Sequence, residues 1–251
     1  MREVSLAEAR RIAVRAQLLD GSAVDALSTI RRLGFLQLDP ISSVAPPQHL
    51  VLWSRLGERY DPTELDRLLW EERKLVQWNA FLWPAEDLPL LKARMKRNDR
   101  PLDKRIVDHL KENASYRRYI LKELDRRGPL LSREIADHEP SGREAHRWWG
   151  ARKMGLMLEL MNVRGDVAVV GQRGRQRVWD LADRWYPETE RVSWREAKQL
   201  FEEKRFRALG VRLEKGTWIA HEDAEDGAGK SDTTDERTAG EVVRKEGSAS
   251  R

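Results

Sequence analysis

The chain is predicted to be a mainly α protein with short β hairpins, an α+β fold organised as tandem winged-helix modules. Three observations carry that expectation. Apolar residues recur at helical spacing between recognisable start and stop signals over much of the chain. A middle segment runs helix, helix, helix and then a hairpin, which is the order of a winged helix. The first segment follows a similar pattern, less cleanly, around a short strand-like run, Phe35 to Leu38.

In chain order, the first helix is expected from Ser5 through Leu18, with Leu6, Ala9, Ile12, Ala13 and Ala16 as its apolar face. A second runs from Ser22 to Leu33 and stops at Gly34. After the strand-like run come an apolar helix around His49 to Leu56, a helix in YDPTELDRLLWEER capped at Asp61, and the Trp-rich stretch LVQWNAFLWPAEDLPLLKARMKR. Trp53, Trp70, Trp78 and Trp83 could wall a cavity or stack on bases, though aromatic residues at helical spacing are more often core.

The middle segment is clearer. Ser115 to Arg127 reads as an amphipathic helix ended by Gly128 and Pro129, and Pro129 to Leu131 as a short strand. Ser132 caps a short helix, and a longer one is expected from Arg143 to about Met161 after a turn at Pro140, Ser141 and Gly142. Asp166 to Val170 and Gln176 to Leu181 then flank GQRGR, an exposed basic turn. In a winged helix the third helix enters the major groove by its N-terminal part while the wing touches backbone or minor groove. Arg143 and Arg147, four apart on one helix face, and Arg173, Arg175 and Arg177 on the wing are therefore candidates for contacting duplex DNA. Winged helices also serve as protein-interaction modules, so the pattern alone leaves the partner open.

The expected division is 1–114, 115–187, a helical remnant at 188–219, and a disordered acidic tail at 220–251. Charge supports it. Residues 116 to 180 carry 14 Lys and Arg against 9 Asp and Glu, whereas the tail carries 5 against 9 and almost no large apolar residue. The whole chain of 251 residues has a net charge of +5, which suits an anionic partner. With no Cys, disulfides, thiolate catalysis and Cys-ligated zinc are excluded, and five scattered His predict no metal site. The N-terminus lacks the apolar core of a signal peptide and no apolar run reaches membrane-spanning length, so a soluble, cytoplasmic, nucleoid-associated monomer is expected, with no membrane partner.

The chemistry-bearing candidate is Gly34 to Gly57, where Gln37 and Asp39 interrupt an apolar run. In a strand they share a face with Phe35 and oppose Leu36 and Leu38. An amide beside a carboxylate can orient a water and take its proton. Asp39 followed by Pro40 is equally what a helix start looks like, with Asp as N-cap.

The series LGFLQLDPISSVA, HLVLWSRLG, LLWEERKL and WPAEDLPLLKARM resembles the winged-helix DNA glycosylases, a group that includes azinomycin-resistance and interstrand-crosslink glycosylases. The likeness covers roughly Ser5 to Leu213, and its distinctive element is a polar pair separated by one apolar residue, here Gln37, Leu38 and Asp39. The resemblance implies tandem winged helices cradling duplex DNA. It implies that Asp39 activates or electrostatically supports a water attacking the anomeric carbon of an N7-alkylated or crosslinked purine nucleotide, and that Gln37 positions this water. No metal or organic cofactor is implied. In APPQHL, Gln48 and His49 are the polar candidates for DNA contact. The alternative is a non-catalytic winged-helix DNA-binding protein or transcriptional regulator.

Overall fold

The computed structural model describes residues 1–39, 44–136 and 147–224. In chain order the elements are β1 (Arg2–Val4), α1 (Leu6–Ala16), α2 (Ala26–Leu33), β2 (Leu36–Gln37), α3 (Pro47–Leu56), α4 (Thr63–Asp66, continuing as a π-helical turn over Arg67–Glu71), β3 (Leu75–Trp78), β4 (Phe81–Pro84), α5 (Leu88–Met95) and α6 (Pro101–Glu112). There follow α7 (Ala114–Arg127), β5 (Leu130–Leu131), α8 (Ser132–Ala136), α9 (Arg147–Val163), β6 (Val167–Arg173), β7 (Gln176–Leu181), α10 (Ala182–Trp185), α11 (Trp194–Leu209), β8 (Val211–Glu214) and β9 (Thr217–Ala220). The fold is mixed, mostly helical, with short antiparallel hairpins.

Local chemistry explains the helix boundaries. Ser5 caps α1 through a reciprocal box with Glu8, whose carboxylate accepts from the Ser5 backbone at 2.8 Å. The second helix begins later than the sequence predicts. Ser22 is already engaged, donating through its backbone and hydroxyl to Asp20, so the cap passes to Asp25, whose carboxylate accepts from the Ser28 N–H at 2.7 Å. Gly34 closes that helix at φ 87°, a conformation that disfavours any residue with a Cβ. The third helix of the middle segment is described from Arg147, and residues 137–146, with Arg143 among them, lie outside the described residues. So does the acidic tail from residue 225 onward.

Among the described residues the strands form three three-stranded sheets, β1-β9-β8, β2-β4-β3 and β5-β7-β6. Each has the same logic: the strand entering first lies at one edge and the last strand of the following hairpin lies in the centre. The first and last segments of the described chain meet in one of these sheets, where Arg2 to Val4 pair with Trp218 to Ala220. Gly210, at the end of α11, makes that closure possible, because a Cβ there would come within 2.6 Å of Ala16.

Each sheet faces its own helices. Ile120, Leu124, Ile135, Met154, Leu158 and Trp179 fill the middle core, and Ile30, Leu36, Leu52, Leu65, Leu75 and Leu82 fill that of the first segment. A third cluster joins segments, since Val76, Trp78 and Trp83 from β3 and β4 pack with Leu88 and Leu91 of α5, Ala168 of β6 and Tyr186.

Candidate functional site

Gln37 lies on β2 and Asp39 two residues beyond it, past the end of the strand. Leu36 is 3% exposed and faces the core of the first segment, while Gln37, one residue on, is exposed and Asp39 is half-buried. Leu36 pairs with Leu82, Gln37 pairs with Phe81, and Phe81 pairs in turn with Trp78, so Gln37, Phe81 and Trp78 form one rung across the sheet. The Leu38 N–H donates to the Ala80 carbonyl at 2.8 Å, which carries Asp39 to the tip of the β3–β4 hairpin. Aromatic side chains flank the rung. Phe35 packs edge-on to Phe81 with ring centres 5.1 Å apart and lies 5.0 Å from the centre of Trp83. The helix start that Asp39 and Pro40 could mark runs into residues 40–43, outside the described residues.

The hairpin under the motif is clamped by the middle segment. Asn162, fully buried near the end of α9, accepts from the Asn79 N–H through Oδ1 at 2.9 Å and donates through Nδ2 to the Val167 carbonyl at 3.0 Å. The Trp78 indole N–H donates to the Asn162 carbonyl at 3.0 Å. These bonds hold a half-buried turn, in which Asn79 takes a left-handed φ of 57°.

A residue that the sequence reading passed over completes this face. Arg94 on α5 lays its guanidinium over Trp78 at 5.3 Å from the ring centre, with Trp83 at 5.9 Å and Phe201 of α11 at 5.8 Å. Burial and the nearby Arg97 push its pKa down. The available acid, Asp103, is already taken by Arg97 at 2.8 Å and Arg100 at 3.3 Å. Among the described residues Arg94 has no carboxylate partner.

The other candidates lie on other elements. Gln48 and His49 lie in the first turn of α3. His49 Nδ1 shares a 2.7 Å hydrogen bond with the Tyr60 hydroxyl, and burial holds its pKa below the ordinary histidine value. The Gln48 Oε1 atom is sealed from solvent with no hydrogen-bond donor. On the wing, Arg173 pairs with Glu134 of α8 at 3.3 Å, and Arg177 pairs with Glu159 of α9 while its guanidinium lies 4.8 Å from the centre of the Trp179 ring. Arg175, at the exposed turn, has no ion-pair partner among the described residues. Arg147 opens α9. The structure thus puts Gln37 on one sheet, with Asp39 just beyond its edge strand, and the wing arginines on another, linked because β6 packs along β3.

Two surface grooves of about 260 and 420 Å3 are lined by neither Gln37 nor Asp39, and the larger one includes Arg73, Arg173 and Arg184. Among the described residues no cluster of three or more His, Asp or Glu is placed to hold a metal ion, and no helix is long and apolar enough to cross a membrane.

A family model described as DNA glycosylase AlkZ-like matches residues 30–218, which contain the whole Gln37 face, its clamp and the wing. The chain belongs to the AlkZ-like DNA glycosylase family. Its fold is similar to that of the DNA glycosylase AlkZ of Streptomyces sahachiroi, with a TM-score of 0.60 and 18% sequence identity over 84% of this chain. The match covers 59% of that glycosylase, so this chain spans less than two thirds of its length. The matched segment begins within α2 and ends within β9, so β1 and α1 precede it, and β1 pairs with β9.

Proposed function

We propose that this protein binds duplex DNA and hydrolyses the N-glycosidic bond of N7-alkylated or crosslinked purine nucleotides. The observation that supports it best is that, within the family-matched segment, Gln37 is exposed on β2 with Asp39 half-buried two residues on, while Leu36 of the same strand is in the core. The shared strand order of the three sheets supports a reading as winged-helix modules, one of them assembled from β1, α1, α11 and the β8–β9 hairpin.

In this mechanism the Gln37 amide orients a water and the Asp39 carboxylate accepts its proton as the water oxygen bonds to the anomeric carbon. The bond from that carbon to the purine nitrogen breaks, and its electron pair leaves with the base. An N7-alkylated guanine is cationic and already a good leaving group, so the site mainly supports an oxocarbenium-like sugar and delivers water. Asp39 stabilises the developing positive charge before it takes the proton.

The test is duplex DNA containing N7-methylguanine, incubated with protein and scored for alkali-labile sites. The proposal expects strand breaks with the wild type and loss of them with Asp39→Asn. Equal, background release by both proteins defeats the catalytic reading. The second reading, a DNA-binding protein without catalysis, is favoured by the basic wing turn at Arg175 and predicts salt-sensitive duplex binding in the absence of base release.

A further inference from the structure

Arg94 is an unusual cation for the place it occupies. It sits on the face of the β2-β4-β3 sheet that carries Gln37, above Trp78, which stands on the same rung as Gln37 two strands away, roughly 9 to 10 Å by strand spacing. Three aromatic rings cover its guanidinium, leaving it half-buried. Rings of this kind hold an arginine in a fixed orientation without neutralising it. The two nearest arginines of the α5–α6 corner each have an acid: Arg97 has Asp99 and Asp103, and Arg100 has Asp103. Arg94 has none among the described residues, although desolvation makes an unpaired charge there costly. An arrangement of this type calls for an anion from outside the chain.

We infer that Arg94 grips the phosphodiester beside the target nucleotide and so fixes the sugar against Gln37 and Asp39. This inference rests on the glycosylase reading and names a contact within it. The substrate's chemistry selects the phosphate. A developing oxocarbenium sugar and an N7-alkylated base are both positive, so a nearby arginine raises the barrier unless its charge is taken up by the one anionic group of the nucleotide. A planar guanidinium presents parallel N–H donors that match two phosphate oxygens. Arg94 is therefore a positioning residue, and it acts on the orientation of the sugar.

The test uses a duplex with a single non-cleavable 2′-fluoro N7-methylguanine nucleotide, with each flanking phosphate replaced in turn by an uncharged methylphosphonate. Affinity is measured between 50 and 200 mM salt, values at which the counterion contribution changes by roughly orders of magnitude for a multi-phosphate contact. Arg94→Met keeps the packing on the rings and removes the charge, while Arg94→Lys keeps the charge. For the wild type, one flanking methylphosphonate is expected to weaken binding about tenfold, the size of a charge-assisted contact. Arg94→Met is expected to lose that sensitivity and to flatten the logarithmic salt slope by about 0.9, whereas Arg94→Lys keeps the wild-type slope.

A folded Arg94→Met with the wild-type slope and undiminished methylphosphonate sensitivity overturns the inference and leaves DNA binding standing. Absence of salt-dependent duplex binding by the wild type overturns the broader reading and the inference with it. Should Arg94→Met fail to fold, the wild-type scan decides: sensitivity at a flanking phosphate supports the contact, and insensitivity at all of them overturns it.

Discussion

The motif sheet and the wing stand in contrast as places where charge meets solvent. The wing is dense in arginine, yet Arg173 and Arg177 are held by Glu134 and Glu159, leaving Arg175 as the wing arginine without an ion pair among the described residues. The motif sheet has little charge in its own strands, yet it carries Asp39 at a hairpin tip and lies beneath an arginine with no acid of its own. A basic stretch of sequence therefore overstates the charge available to a polyanion, and a single cation in an aromatic cage understates it. The wing arginines do part of their work inside the protein, stapling the hairpin to α8 and α9.

This contrast can be broken or sharpened by experiment. The largest expected effect is on the motif itself. Asp39→Asn should lower the rate of base release by about 100-fold or more, the scale of a lost general base, and Gln37→Ala should cost less because water can still reach the carboxylate. Rates are read by quantifying alkali-labile breaks over time under enzyme excess.

Next in size is the clamp that holds the hairpin. Asn162→Leu removes an acceptor from the Asn79 N–H and a donor from the Val167 carbonyl in a fully buried position. It should destabilise the fold by about 3 kcal/mol, read by urea or thermal unfolding, because two backbone polar groups are left without partners. A loss under 1 kcal/mol would mean that the Asn162 side chain contributes little to joining the two segments.

The wing contrast gives a smaller, more selective effect. Arg175→Ala should flatten the logarithmic salt dependence of duplex binding by about 0.9, with Arg173→Ala having less effect because Glu134 already offsets that charge. Equal changes for the two would show that the Glu134 pair opens on DNA.

Much of this architecture was legible in the chain. The capped helices, the strand around Gln37 and the helix-helix-helix-hairpin of the middle segment follow from local periodicity and turn chemistry. The β3–β4 hairpin was harder, because LVQW and FLWP are short, rich in Trp and free of strict alternation, and only Asn79 at a left-handed turn marks the reversal. The pairing of Arg2 to Val4 with Trp218 to Ala220 depends on partners more than 200 residues apart, which no local signal reports. The same distance problem hid Arg94. Its rings come from β3, β4 and α11, and its lack of an acid depends on Asp103 being occupied by Arg97 and Arg100. His49 was singled out for its chemistry, but its bond to Tyr60 is set by how α3 packs.

The smallest expected effect concerns that histidine. Its folded pKa lies below the unfolded value of 6.5, so the unfolded chain takes up the proton more readily. The stability tied to His49 is therefore complete above 6.5 and is lost as pH falls through and below that value. His49→Gln should flatten the change in Tm between pH 7 and pH 5, and an unchanged profile would assign the pH dependence to other groups.

The central claim is that the outward face of β2 carries out chemistry on DNA, and single-turnover kinetics test it most directly. Wild type and Asp39→Asn are compared on one N7-methylguanine duplex, with the rate of base release and the duplex Kd measured separately. The expected result is a rate lower by about 100-fold or more in the variant with Kd within about threefold, because a proton acceptor acts in the transition state and not in binding. Equal rates of base release by the two proteins, or a rate loss fully accounted for by weaker binding, would contradict it.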